Sequence, residues 1–384
     1  MGKKVFIHSS DSFPHGAAQT NYIQYLALIC KEAGYIPVMI VRPNGDYVDT
    51  QKSTYYMEMK IKPIIASGNK EVHDQQRKNG FSRERIRAME ESGIAMGDVV
   101  ITFELGYNIN YHRSLQKFCE KVGVKTIVCV LEYWGAEDFN TKEKYEHFRY
   151  VADTLYLKYD GILVMSRAVE QHYKEKGKKV FLFPPFSECI PSNKIRKSSK
   201  KYSFLIISNK DSFESMIRAF ADLGVSELSK IELHLCGVKE EHLRETIKYS
   251  EWKRLSNCVT IHPWMKYEKL HELYQQMHFL LIARAVCQRT LANFPSKVPE
   301  TMTHGIVPIV SEVGDYTEYY LRDGKDSIFI KGDSVEETMR AIRKAIGMNM
   351  EEYERYSKKA YQTAWERFDY HRWIQQIKEM LETV

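Results

Sequence analysis

No run of about 18 consecutive apolar residues occurs in this 384-residue chain, so a membrane-spanning helix is not expected. The first residues, MGKKVFIHSSDSF, lack the apolar centre of a signal peptide and are expected to form a β-strand. The cysteines (Cys30, Cys119, Cys129, Cys189, Cys236, Cys258 and Cys287) include no C-x-x-C pair. Scattered in this way, several in apolar runs, they point to buried free thiols in a reducing cytoplasm, not to a disulfide frame or a zinc site. No D-x-D motif stands in a suitable loop, and carboxylate pairs such as Glu137-Asp138 lie in charged helical surroundings. A nucleophile elbow, a P-loop, a complete dinucleotide fingerprint, internal repeats and low-complexity tracts are also missing.

What is present is the composition of a globular protein, 43% hydrophobic and 28% charged. The length exceeds one ordinary core and suits two domains. The net charge of +6 is unevenly spread, because Lys174–Lys201 alone carries nine Lys/Arg against Glu175 and Glu188, or +7. Such a run is a solvated linker or a patch for an anionic membrane surface or a phosphorylated acceptor. It has no interleaved aromatic platform, so nucleic acid is not expected.

Along the chain, short apolar runs alternate with helical patterns. Lys4–His8 is expected as a strand, Ser9–His15 as a polar loop, and the segment opening at Gly16-Ala17-Ala18 as a helix with Ile23, Leu26, Ala27 and Cys30 on one face. Further strands are expected at Ile36–Val41, Asp98–Phe103, Lys125–Leu131, Gly161–Met165 and Lys179–Phe183. Periodicity lapses in the Ser-rich, basic stretch Ser192–Lys201, which marks the domain boundary. The pattern restarts with strands at Tyr202–Ser208, Ile231–Gly237, Val259–His262, Phe279–Ala283, Ile309–Ser311 and Ser327–Ile330. Helices from Val335 to Val384 close the chain, with Trp365, Phe368 and Trp373 as apolar anchors. Continuous apolar strands separated by helices predict parallel sheets covered on both faces. The expected fold is α/β, two Rossmann-like doubly wound domains (1–190 and 191–384, the last helix packing back on the first) facing across a cleft.

The segment PSKVPETMTHGIVPIVSEVGDYTE gathers polar groups at two strand–helix corners. Ser296 is placed to cap a helix from Lys297 to His304 that stops at Gly305. The N-terminus of that helix, with Lys297 beside it, suits a diphosphate, and Glu300 one turn in suits ribose hydroxyls. Gly314-Asp315 forms a second corner where glycine permits close backbone approach to a ligand, and Glu318 begins the next helix.

The residues Glu300, Met302, Gly305, Pro308, Ser311, Gly314, Glu318 and Gly324 resemble, in order and spacing, the donor-site region of family 4 glycosyltransferases. HGAAQTNYIQYLALICKEAGYIPVMIV resembles that family's first loop and helix. FLIISNKDSFESMIRAF and ELHLCG are similar to its second-domain opening, and WERFDYHRWIQQI to its closing helix. The resemblance implies the GT-B fold, transfer of a sugar from a nucleotide diphosphate sugar with retention of configuration, and no bound metal or other cofactor. Glu300 matches the second glutamate of an E-x7-E motif, whereas Ala292 stands where the first would be; Pro295, Lys297 and Glu300 resemble an alternative P-x-K-x-x-E arrangement. The family's Arg-x4-Lys phosphate pair is replaced by ISNKDS, which leaves Lys210, with Arg284 and Arg289 as further cations. Gly16 and Ala17 match the glycine loop near the donor phosphate. In place of the family's histidine after the TIVCV strand stands Leu131-Glu132, which makes Glu132, or Glu104 after VVITF, the residue to orient an acceptor hydroxyl or sugar; His112 and His15 are weaker candidates.

The candidate catalytic residues are therefore Glu300, Lys297 and Glu132. The donor-binding set is Gly16, Ala17, Lys210, Arg284, Arg289, Ser296, Gly314, Asp315 and Glu318. The resemblance implies a cytoplasmic enzyme of glycan, capsule or lipopolysaccharide assembly, peripheral contact with a membrane being one reading of the basic Lys174–Lys201 stretch. A catalytically degenerate binding partner and another GT-B enzyme, such as a nucleotide-sugar epimerase, are the alternatives.

Overall fold

The computed structural model describes residues 2–16, 18–103, 108–191, 201–207 and 213–384. Ala17, Glu104, Lys210 and nearly all of the Ser192–Lys201 stretch lie outside the described residues. The chain forms two compact units. The N-terminal unit comprises Met1–Phe186 with Ala292–Phe294 and Tyr370–Val384, and the C-terminal unit comprises Ser187–Leu291 and Pro295–Asp369.

The N-terminal unit is built on β1 (Lys4–Phe13), β2 (Ile36–Pro43), β3 (Thr54–Tyr56), β4 (Met59–Pro63), β5 (Val99–Phe103), β6 (Lys125–Val130), β7 (Gly161–Val164) and β8 (Val180–Leu182). Their order across the sheet is β3-β4-β2-β1-β5-β6-β7-β8, with Val5 opposite Pro37 on one side and Val99 on the other. β5 and β7 are buried at every position, as their unbroken apolar runs require of a sheet covered on both faces.

Three local features depart from the sequence expectation. Ser9–Phe13 is not a loop: β1 shifts register between His8 and Ser12 and continues opposite Arg42 and Pro43. The polar Ser9–Asp11 stretch is accommodated by that irregularity, with the Asp11 N–H donating to Ser9 Oγ at 3.1 Å. The helix Ala18–Glu32 is buried nearly all round, not on one face, because the C-terminal segment covers it: Tyr370 stacks on Tyr25 at 5.5 Å and donates to Glu32 at 3.0 Å. Finally, β3 and β4 form an antiparallel hairpin whose turn residues Met57 and Glu58 both adopt positive φ (48° and 63°), a backbone suited to a two-residue hairpin turn but lacking the glycine or asparagine that would announce one.

The C-terminal unit carries β9 (Tyr202–Ile207), β10 (Ile231–Cys236), β11 (Val259–His262), β12 (Phe279–Ile282), β13 (Val307–Ser311) and β14 (Ile328–Ile330). All pairings are parallel, in the order β11-β10-β9-β12-β13-β14. Phe204, Ile206, Leu233, Leu235, Leu281 and Ile309 are among the residues of one core beneath the helices. Phe368 is fully buried against Tyr320, whereas Trp365 is 48% exposed.

Strand order reverses between β1 and β5 in one sheet and between β9 and β12 in the other. In open parallel sheets, ligands bind beyond the carboxyl ends of the strands at such reversals. The chain just after β1 (His15, Gly16) and just after β12 (Ala283, Arg284) therefore marks the place to look in each unit.

Candidate functional site

In the C-terminal unit the helix expected from Lys297 to His304 is shorter, Lys297–Met302, and Ser296 does not cap it: Ser296 already has helical backbone angles and its hydroxyl makes no capping bond. The Val298 N–H is instead taken by the Pro295 carbonyl at 3.0 Å. Gly305 does stop the segment, in the left-handed region at φ 65°.

Glu300 is 7% exposed and both of its oxygens are engaged: Oε1 accepts from the Tyr274 hydroxyl and Oε2 from Lys297 Nζ, each at 2.8 Å. Burial pushes the Glu300 carboxyl up, but Lys297, His271 and Tyr274 outweigh it, and the group lies below the usual carboxylate range. Tyr274 is buried and its hydroxyl is driven well above its ordinary value, first by burial and then by Glu300. His271, one turn earlier on the helix Tyr267–Tyr274, shares a 2.9 Å hydrogen bond with His304. Sequence reasoning missed Tyr274, His271 and His304. The only trace of the first two is their three-residue spacing in HELY, which places them on one helical face.

The corners after β12 and β13 are tied to each other. The Arg284 N–H donates to Ser311 Oγ at 2.8 Å, and the Arg284 guanidinium hydrogen-bonds Tyr316. Tyr316 in turn donates to the Ser311 carbonyl at 3.0 Å, and burial pushes its hydroxyl up to about 12. Gly314 has φ +71°, and a Cβ there would stand 3.0 Å from the Thr290 carbonyl. The glycine thus permits close packing against the short helix Gln288–Ala292 of its own unit. Arg289 is half-buried in the short helix Gln288–Ala292. Asp315 is buried, whereas Glu318 is exposed and sits in a single π-helical turn, Tyr316–Tyr320, not at the start of a longer helix.

In the N-terminal unit, Gly16 follows β1, and a Cβ there would come within 2.6 Å of both the Ser12 carbonyl and Thr20 Oγ1. His15 hydrogen-bonds Tyr56 through Nε2 and lies against the Tyr47 ring at 4.9 Å. His112 is a core residue: it is wholly buried, pairs with the Tyr159 hydroxyl at 2.7 Å, and is lowered to about 3 by burial and by Arg85. Glu132, two residues beyond β6, is half-buried; its Oε1 accepts from Asn293 Nδ2 and its Oε2 from Trp134 Nε1, each at 3.1 Å.

Among the described residues, no group of three or more His, Cys, Asp or Glu side chains is placed to share a metal ion. No helix among them is long and apolar enough to cross a membrane.

Residues 192–363 match the family Glycosyl transferases group 1. No curated protein matches the chain by sequence. Among solved structures, sucrose-phosphate synthase from Thermosynechococcus elongatus is similar at TM-score 0.75 and 12% identity, over 99% of this chain and 98% of that one. Anabaena HepE, solved with UDP and glucose, is similar at TM-score 0.71 and 12% identity, over the full length of both chains. The pneumococcal O-GlcNAc transferase GtfA, solved with UDP and GlcNAc, is similar at TM-score 0.68 and 12% identity, over 99% of each. At this identity the likenesses establish the fold alone: two Rossmann-like units with parallel sheets, as in GT-B glycosyltransferases.

Proposed function

We propose that this chain is a retaining glycosyltransferase that moves a sugar from a nucleotide diphosphate sugar to an acceptor hydroxyl. The observation that carries the reading is the Lys297–Glu300–Tyr274 cluster, in which Glu300 and Tyr274 are buried and Lys297 is half-buried, inside the region matched to glycosyl transferases group 1. Core packing alone has no use for a buried ionised pair, since desolvation opposes it. A nucleotide sugar has use for both partners: the ammonium offsets diphosphate charge, and the carboxylate accepts ribose hydroxyls on the lone pairs left after Tyr274 and Lys297 are served.

In this reading the C-terminal unit holds the donor, with Lys297, Arg284, Arg289 and Lys210 as sources of positive charge and Ser296, Gly314, Asp315 and Glu318 lining the two corners. From the N-terminal unit, Glu132 serves the acceptor, and the family resemblance gives Gly16 and Ala17 as donor-binding residues. The acceptor oxygen bonds to the anomeric carbon as the bond from that carbon to the diphosphate oxygen breaks. The acceptor proton passes to the leaving phosphate on the same face, which retains configuration. Stabilising the departing diphosphate requires cations or N–H donors in place beforehand, and no metal or other cofactor is assigned. Because the structural relatives HepE and GtfA were solved with UDP, uridine donors head the test. A glycan or lipid-linked acceptor in capsule or lipopolysaccharide assembly would suit the basic Lys174–Lys201 stretch as a contact for an anionic cytoplasmic membrane surface.

Thermal melting against UDP-, GDP-, ADP-, CMP- and dTDP-sugars tests the reading. A donor at about 100 times its Kd adds roughly 2.7 kcal/mol of stability. One clear shift, followed by turnover of that donor, supports the proposal; a folded sample silent across the panel points to a degenerate binding partner.

A further inference from the structure

We infer that Asn293 and Trp134 are positioning residues whose task is to hold the Glu132 carboxylate as a fixed hydrogen-bond acceptor for a sugar hydroxyl; the inference rests on the glycosyltransferase reading above. Glu132 follows β6 at the carboxyl end of the N-terminal sheet, the end at which ligands bind in parallel α/β units. Its two oxygens are held separately, Oε1 by Asn293 and Oε2 by Trp134, so rotation of the carboxylate plane would break both bonds. The two donors are themselves fixed. The Trp134 ring packs on Phe139 at 5.8 Å and Phe148 at 5.5 Å. Asn293 lies between Ala292 and Phe294, both buried, in the tripeptide that belongs to the N-terminal unit.

Both clamping groups are neutral. The contrast with Glu300 is chemical: there an ammonium compensates the charge and the group is buried. At Glu132 no ion pair offsets the charge among the described residues, and the side chain is only half-buried. An ionised carboxylate has about two lone-pair sites on each oxygen and no donor. One N–H on each leaves an open acceptor position per oxygen, which selects an O–H donor and suits the hydroxyls of a sugar.

The test is a double-mutant cycle over Glu132→Gln and Asn293→Ala, with Trp134→Phe as a variant that keeps the ring and removes the N–H. On the donor found by melting, Asn293→Ala and Trp134→Phe are each expected to lower kcat by about tenfold, with UDP affinity by calorimetry changed less than about twofold. Asn293→Ala is expected to add nothing on the Glu132→Gln background. Equal losses in UDP affinity and kcat, or additive effects, overturn the positioning role. A second readout does not depend on turnover: the Trp134 indole N–H proton resonance, deshielded by its bond to the carboxylate, moves upfield in Glu132→Gln and in Asn293→Ala. If it stays in place in Asn293→Ala, the clamp is overturned. A clamp intact by this signal in a protein that turns over no donor overturns the transferase reading alone.

Discussion

The Lys297–Glu300 pair of the C-terminal unit differs in kind from the histidine–tyrosine pairs buried in the N-terminal unit. In the N-terminal unit the buried pairs are largely neutral: His8 with Tyr111 at 3.0 Å, His112 with Tyr159 at 2.7 Å, and Thr102 with Tyr111 at 2.6 Å. In the C-terminal unit the central pair is ionic, Lys297 with Glu300. Neutral histidine–tyrosine pairs satisfy hydrogen-bonding needs inside a core and carry no charge to a ligand. An ionic pair costs more to bury and keeps a charge at the site, a cost that a structural role alone would not explain. The family match also falls in the C-terminal unit's region, at residues 192–363. Recognisable family sequence and the ionic pair thus fall in the same unit.

The largest expected effect breaks the ionic side of this comparison. Glu300→Ala removes one partner of a buried pair and leaves Lys297 and the Tyr274 hydroxyl uncompensated. Urea unfolding is expected to show a loss of about 3 kcal/mol, the low end for a broken buried pair because Lys297 is still 25% exposed. Glu300→Gln, which keeps an acceptor for Tyr274, is expected to lose less stability but a similar share of donor affinity. Equal donor affinity in both variants and wild type would end the ribose assignment.

Gly314→Ala comes next. A left-handed backbone and a Cβ 3.0 Å from the Thr290 carbonyl are together expected to cost about 2 kcal/mol by thermal or urea unfolding. A neutral result would show that the corner after β13 yields easily and that the glycine was needed for some other reason.

Acid sharpens the comparison on the neutral side. His112 titrates at about 3 in the fold and near 6.5 unfolded, so the fold favours its neutral form. That contribution is whole above about pH 6.5 and is lost as pH falls towards 3, by about 1.4 kcal/mol per pH unit. His234 in the C-terminal unit, lowered to about 4 by burial and by His262, has a narrower window. His112→Gln should therefore flatten the fall in melting temperature between pH 4 and pH 3 more than His234→Gln does. Identical slopes would contradict the difference in burial.

The smallest effect concerns Glu318. Its side chain is exposed, so Glu318→Ala is expected to change stability by less than about 0.5 kcal/mol. Any drop in donor affinity in this variant can then be assigned to the site and not to folding.

Much of the fold was legible. Apolar runs such as VVITF and FLLI could be placed as buried parallel strands because both faces of such a sheet are covered and nothing alternates. The hairpin β3–β4 was not, since its turn uses positive φ without glycine or asparagine. At the site, Lys297 and Glu300 stand three apart in sequence and were found by spacing, whereas Tyr274 is 26 residues from Glu300 and Asn293 is 161 from Glu132.

By itself, then, the sequence determined what depends on near neighbours: two sets of alternating strands and helices, their parallel pairing, the glycine stop at Gly305 and the Lys297–Glu300 pair. Tertiary structure alone decided that Ser296 would not cap, that Gly314 would meet Thr290, that Trp365 would face solvent, and that Asn293 would reach Glu132. Periodicity and helical spacing are properties of a few consecutive residues, but a hydrogen bond across a unit depends on where entire elements pack, and no local pattern encodes that.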